Sequence, residues 1–171
     1  MSVKQSLKNL EVIQAERKKS DKRILDEIFE SLFEECPEIH AVGWHQYTPY
    51  FNDGEPCEFS LSDIHFTNDK KILIEDYADV DKFSFDELDC WYYAGNEKWE
   101  YQRKHSEAQQ DKAVDPSWEL PDKIAEKYEI LDSFERILYK LEDILESQYG
   151  NGAQIIVTRD ETIVEEYDCG H

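Results

Sequence analysis

An extended segment with no polar face most constrains the fold of this chain. In residues 39–47 apolar side chains fall on both alternating faces. Such a strand needs cover on both sides, so it belongs inside a sheet rather than at an edge. Pro49 ends it, because proline has no N–H to give to the ladder. The Asn-Asp-Gly sequence at 52–54 then predicts the bend of a β-hairpin.

The return strand of this hairpin is predicted at residues 57–66. Its alternation shifts by one residue near Asp63, which predicts a β-bulge that turns Ile64 and Phe66 toward the core. A turn at 67–70 leads to a third short strand at 71–75. The sequence therefore predicts a three-stranded antiparallel meander.

Two helices are predicted from apolar periodicity. Apolar residues repeat at helical spacing from Leu7 to Phe33, so we expect one long helix, bent near Ser20 or divided there into two, that stops before Pro37. Its basic cluster at 17–23 fits a solvated face better than an anion site, because carboxylates at i, i+4 spacing can pair with it.

The second helix is predicted over residues 117–149, and Gly150 ends it. Its apolar seam suits packing on the sheet or on the first helix, and a homodimer through the 124–145 helix is the alternative. The seam consists of Ile124, Tyr128, Leu131, Phe134, Leu138, Leu141 and Leu145.

A closing hairpin is predicted at 153–158 and 162–167, extending the sheet. The fold class is therefore α+β, an antiparallel sheet made of the meander and the C-terminal hairpin and covered by the two helices. Residues 1–171 form a single domain with an irregular acidic-aromatic insertion at about 79–118. Within the insertion we expect a short helix at 85–92 and a mobile or helical excursion at 97–112.

Charge restricts the partners. The formal net charge is -21, from 40 acidic against 19 basic residues. This charge repels nucleic acid and anionic membranes, so the expected partner is a basic protein surface, in particular that of a nucleic-acid-binding protein. No stretch is apolar over a membrane-spanning length, and the N-terminus lacks the apolar run of a signal peptide. We therefore expect a cytoplasmic protein, in which reduced thiols are the default, and its four cysteines show no zinc spacing.

Two acidic-aromatic surfaces are candidate binding sites. The hairpin loop would present aromatic rings rimmed by carboxylates, unless these rings close the end of the core. Its candidate residues are Trp44, Tyr47, Tyr50, Phe51, Asp53 and Glu55. The insertion could bind a basic partner in the same way. Its candidate residues are Asp86, Glu87, Asp89, Trp91 and Tyr92.

The hairpin also carries a family resemblance. Residues 44–59 read W-x-Q-Y-T-P-Y-F-N-D-G-E-x-C-x-F, which resembles a motif of small proteins from tailed bacteriophages and bacteria. The resemblance covers the first strands and, more loosely, the N-terminal helix and C-terminal hairpin, and the segment 79–118 has no counterpart in it. It implies a fold and a phage-like setting, and it implies no catalytic residues.

Catalytic patterns are weak. His45 and His65 with Asp53 could form a metal-dependent hydrolase site, and Cys57 with His45 could form a nucleophile–base pair. We favour hydrogen-bonded sheet histidines and an inert thiol, since the chain has no nucleophile elbow, phosphate loop or HExxH helix. The aspartates at 76, 79 and 81 lack the glycine and the final glutamate of a calcium loop. We therefore predict no catalytic residue, no metal and no cofactor.

The leading functional expectation is a non-enzymatic acidic interaction protein. Together with the phage-like setting, it suggests an inhibitor that occupies the basic, nucleic-acid-binding surface of a host nuclease or defence protein. One alternative is a protein that binds a small planar ligand such as a nucleotide through the aromatic hairpin loop. The second alternative is the metal-dependent hydrolase.

Overall fold

A computed structural model describes residues 3–50, 54, 56–62, 64–70, 91–108 and 120–167. In chain order the elements are α1 (Val3–Glu35), β1 (Ala41–Tyr47), β2 (Ser60–Leu61), β3 (His65–Thr67), β4 (Trp91–Tyr92), α2 (Ala94–Ala108), α3 (Asp122–Lys140), α4 (Glu142–Tyr149), β5 (Ala153–Thr158) and β6 (Thr162–Glu166). The strands form one antiparallel sheet in the order β4-β3-β1-β5-β6, with β2 also paired to β1. The predicted α+β class is confirmed.

The central place of β1 follows from its two apolar faces. It pairs with β3 on one side and with the whole of β5 on the other. Val42 and Trp44 belong to one core cluster with Phe29 of α1, Phe134 of α3 and Leu145 of α4. Helices α1, α3 and α4 therefore cover the same face of the sheet.

The predicted bulge is visible in the strand register. Gln46 pairs with Leu61, whereas Gly43 pairs with His65. Three residue steps along β1 therefore match four along the return segment, so one extra residue lies between β2 and β3. This shift buries both Ile64 and Phe66, as the sequence predicted.

Several predicted boundaries are corrected by the structure. The helix predicted at 85–92 is wrong at Trp91 and Tyr92, which form β4, because aromatic residues suit a strand that pairs with the edge of β3. The excursion at 97–112 is helical through Ala108. The strand predicted at 71–75 lies outside the described residues.

The two long helices differ in continuity. The N-terminal helix is a single α-helix of 33 residues, with no division at Ser20. The helix predicted over 117–149 instead begins after Pro121 and is interrupted at Leu141, whose N–H bonds to the Leu138 carbonyl three residues back. The C-terminal hairpin is confirmed as β5 and β6. Among the described residues no helix is long and apolar enough to span a lipid bilayer.

Candidate functional site

Trp44, the first residue of the aromatic motif, belongs to the core. Its side chain is 0% exposed, and its ring stacks on Phe29 with centroids 6.0 Å apart and planes inclined by 12°. Its indole N–H donates to Gln46 Oε1 at 3.1 Å. In this position Trp44 closes the core and is not presented to a partner.

Gln46 is the polar centre of the same packing. Its side-chain amide is completely buried and donates to the carbonyl oxygens of Leu145 and Gly150. The single carboxamide therefore joins β1, the end of α4 and the turn that follows. A second link nearby joins Asn151 to Thr48, through the Thr48 N–H at 2.9 Å and the Thr48 hydroxyl at 2.6 Å.

The hairpin loop leaves one described aromatic exposed. Tyr47 is half-buried against Tyr167, with ring centroids 5.7 Å apart, whereas Tyr50 is 75% exposed. The other predicted loop residues, Phe51, Asp53 and Glu55, lie outside the described residues. Because Trp44 is buried, the described rings do not form a continuous stacking surface for a planar ligand.

The two sheet histidines are engaged by neighbouring side chains. His45 stacks on Tyr167 at 4.0 Å, and its Nε2 lies 2.8 Å from Gln154 Oε1. His65 is buried against the ring of Tyr93 at 4.2 Å. Within the described ranges, no group of three or more His, Cys, Asp or Glu side chains is placed to hold a metal ion.

The described thiols differ in environment. Cys57 is exposed on the return segment of the hairpin, and Cys36 is buried directly after the last residue of α1. Burial, with a smaller contribution from the Glu38 carboxylate, raises the pKa of the Cys36 thiol to about 11. Since the thiolate is the nucleophile, a thiol held protonated at neutral pH is a packing group.

The second predicted surface also contributes to packing. Trp91 is buried in β4, and the half-buried ring of Tyr92 lies 5.1 Å below the Lys127 ammonium. Lys127 also lies 3.5 Å from a Glu97 carboxylate oxygen. Burial and the nearby Glu97 carboxylate raise the pKa of Tyr92, so its hydroxyl stays neutral. Asp86, Glu87 and Asp89 lie outside the described residues.

Nine described carboxylates line two grooves along the C-terminal half of α1. The first, which we name the α1–α3 groove, lies between those helices and has a volume of about 550 Å³. Its floor is apolar, with Ile28, Ile130 and Phe134, and no basic residue occurs among its described lining. Four carboxylates stand along it, those of Glu27, Glu35, Glu126 and Glu129.

The second groove, which we name the hairpin groove, lies between α1 and the β5–β6 turn and has a volume of about 480 Å³. Its five carboxylates belong to Asp26, Glu30, Glu34, Asp160 and Glu161. Two basic residues also line it. Lys22 forms an ion pair with Asp26 at 2.7 Å, and Arg159 donates to the Phe33 carbonyl at 2.6 Å while its guanidinium covers the Phe33 ring.

The packing of Arg159 fixes the turn that carries Asp160 and Glu161. Its guanidinium is bonded to main-chain carbonyls of Phe33 and Pro37, so it fixes the turn beside α1. Asp160 and Glu161 are thereby placed opposite the Glu30 and Glu34 row. The groove carries five negative charges against two positive ones.

Sequence reasoning named neither groove. A partial signal exists, because Asp26, Glu30 and Glu34 repeat at four-residue spacing and so share one helix face. The contribution of Asp160 and Glu161 depends on tertiary packing.

Comparisons with protein families, with curated proteins and with solved structures found no match to this chain.

Proposed function

We propose that this chain is a non-enzymatic interaction protein whose hairpin groove docks on a basic protein surface. The observation that carries the proposal is the row of Asp26, Glu30 and Glu34 faced by Asp160 and Glu161. Successive carboxylates of the row are about 6 Å apart along the helix axis. Clustered like charges of this kind attract an oppositely charged partner over a distance and orient it on approach.

The partner class follows from the same charge. Proteins that bind nucleic acid display clustered Lys and Arg side chains where phosphates normally lie. An acidic groove formed by a helix and a turn can occupy such a cluster and exclude the nucleic acid. In the phage-like setting suggested by the 44–59 motif, the partner would be a host nuclease or defence protein, and this chain its inhibitor.

The test is capture from bacterial lysate with the tagged full chain and two charge-matched variants. Glu30→Lys with Glu34→Lys reverses the groove row. Glu100→Lys with Glu107→Lys makes the same charge change on α2, where both residues are exposed. Circular dichroism confirms that each variant is folded.

We expect the unmodified chain and the α2 variant to retain the same nucleic-acid-binding proteins, which duplex DNA and roughly 0.5 M salt then release. The groove variant should lose them. Equal retention by both variants would mean that only net charge matters, and retained proteins that DNA does not displace would contradict the proposed surface. If nothing is retained at low salt, the proposal fails outright.

A further inference from the structure

The N-terminal half of α1 extends beyond the core. Every described side chain from residue 5 to residue 20 is exposed. Leu7, Leu10 and Ile13 are among them, each between 50% and 61% exposed. Most of the stability of a helix in a protein comes from packing an apolar face, and this half of α1 has exposed apolar residues instead.

Leu7 and Leu10 belong to a seam that runs the length of the helix, and Ile13 lies beside it. Along α1 the positions alternate between three-residue and four-residue steps, which is the spacing of a coiled-coil interface. These positions are Leu7, Leu10, Gln14, Arg17, Asp21, Ile24, Ile28, Ser31 and Glu35. The last four of them line the α1–α3 groove.

Antiparallel pairing of two α1 helices aligns the two halves of this seam. When residue 19 of one copy lies at the two-fold axis, Leu10 is opposite Ile28 of the second copy and Gln14 is opposite its Ile24. Residues 3–14 then cover residues 24–35, and each segment is about 17 Å long. Both ends repeat the same contacts, as a two-fold interface requires.

Charge also matches the two surfaces. Residues 3–14, which would fill the groove, contain Lys4 and Lys8 against Glu11, and the three basic residues at 17–19 follow at the two-fold axis. The α1–α3 groove contributes four glutamates and an apolar floor. At the axis, Arg17 of one helix is opposite Asp21 of the other. Within one chain these side chains are 3.7 Å apart, and Arg17 is 77% exposed whereas Asp21 is 13% exposed, so the Arg17 guanidinium is the group that can reach across to the second copy.

We propose that two copies of this chain associate through antiparallel α1 helices, and that residues 3–14 of each copy fill the α1–α3 groove of the other. Leu10 would then lie against Ile28 and Ile130, and the four glutamates would border this segment of net charge +1. The interface leaves the hairpin groove open on the opposite side of α1. The inference is therefore independent of the proposed function.

Sedimentation equilibrium of the full chain tests the association. We expect a mass of twice the 20.3 kDa chain at micromolar concentration. Leu10→Glu should weaken the dimer at least about 100-fold, because each dimer loses two buried leucines. Val12→Glu is the matched control: Val12 is 57% exposed on the same segment but lies outside the seam, so the dimer should persist. A monomer at all concentrations, or equal weakening by both variants, would overturn the proposal.

Disulfide trapping tests the direction of the helices. The starting protein has Cys57, Cys90 and Cys169 replaced by serine and keeps the buried Cys36. Under mild oxidation, a mixture of the Leu10→Cys and Ile28→Cys variants should form the mixed dimer, and each variant alone should stay uncrosslinked. If Leu10→Cys instead crosslinks to itself, the helices are parallel and the proposed filling of the groove is wrong.

Discussion

Replacement of Gln46 by leucine tests the buried polar link between the sheet and helix α4. The substitution keeps the volume but removes the acceptor of the Trp44 indole N–H and the donors to two carbonyl oxygens, those of Leu145 and Gly150. Each buried polar group left without its bond costs about 1–3 kcal/mol. With part of this offset by the added apolar burial, we expect a loss of about 2–4 kcal/mol, a large share of a typical domain stability.

Urea unfolding followed by tryptophan fluorescence measures this loss, with the midpoint and slope compared between variants. Gln5→Leu, on the exposed part of α1, is the control and should change the free energy of unfolding by less than about 0.5 kcal/mol. Gln46→Glu keeps an acceptor but turns a carboxylate toward two carbonyls, so it should destabilise more than leucine at neutral pH. A loss below about 1 kcal/mol for Gln46→Leu would refute the reasoning.

Two further perturbations concern the turn after α4 and the tyrosine before it. Gly150 has φ of 89° and ψ of 175°, a conformation essentially limited to glycine. A methyl group would meet no neighbour there, so the backbone conformation alone should make Gly150→Ala lower the free energy of unfolding by about 1–3 kcal/mol in the same urea assay. Burial and the nearby Asp26 carboxylate raise the pKa of Tyr149 to about 12. The neutral phenol is favoured in the folded state, so its contribution is full below pH 10 and falls as the pH rises from 10 to about 12. Tyr149→Phe should therefore reduce the loss of folding free energy across that pH interval and remove one phenolate absorbance transition. If the phenolate titration of the variant equals that of the unmodified chain, the raised pKa does not belong to Tyr149.

The sheet was predictable where the local alternation of residues and the packing of the whole fold require the same structure. The two apolar faces of 39–47 required an interior strand, and β1 is that strand. The shift in apolar alternation near Asp63 predicted one extra residue in the return strand, and the pairing register of β1 with β2 and β3 contains that residue. Strand β4 was missed because two residues cannot show a period of two, and its existence depends on the edge of β3.

The buried aromatics show a second limit of sequence reasoning. Trp44 and Tyr50 belong to the same motif, yet one is 0% and the other 75% exposed. Aromatic side chains supply both cores and interfaces, so composition alone does not separate the two uses. The difference is Gln46. Its side-chain oxygen accepts a hydrogen bond from the Trp44 indole N–H and so holds the ring in the core. That contact links residues two apart, but its cause is the Leu145 carbonyl of α4 and the Gly150 carbonyl of the turn after it, about one hundred residues away.

The polar residues in the middle of α1 are likewise open to two interpretations, a solvated face or part of a helix–helix interface. Arg17 and its neighbours interrupt the apolar stripe, so the sequence favoured a solvated face. Yet Gln14, Arg17 and Asp21 continue the three-four spacing that links Leu10 to Ile24. Polar residues at such positions lower stability but select one register and one partner. In a parallel pair Arg17 would face Arg17, whereas the antiparallel pair places it opposite Asp21, so the same residues that weaken the seam would determine its direction.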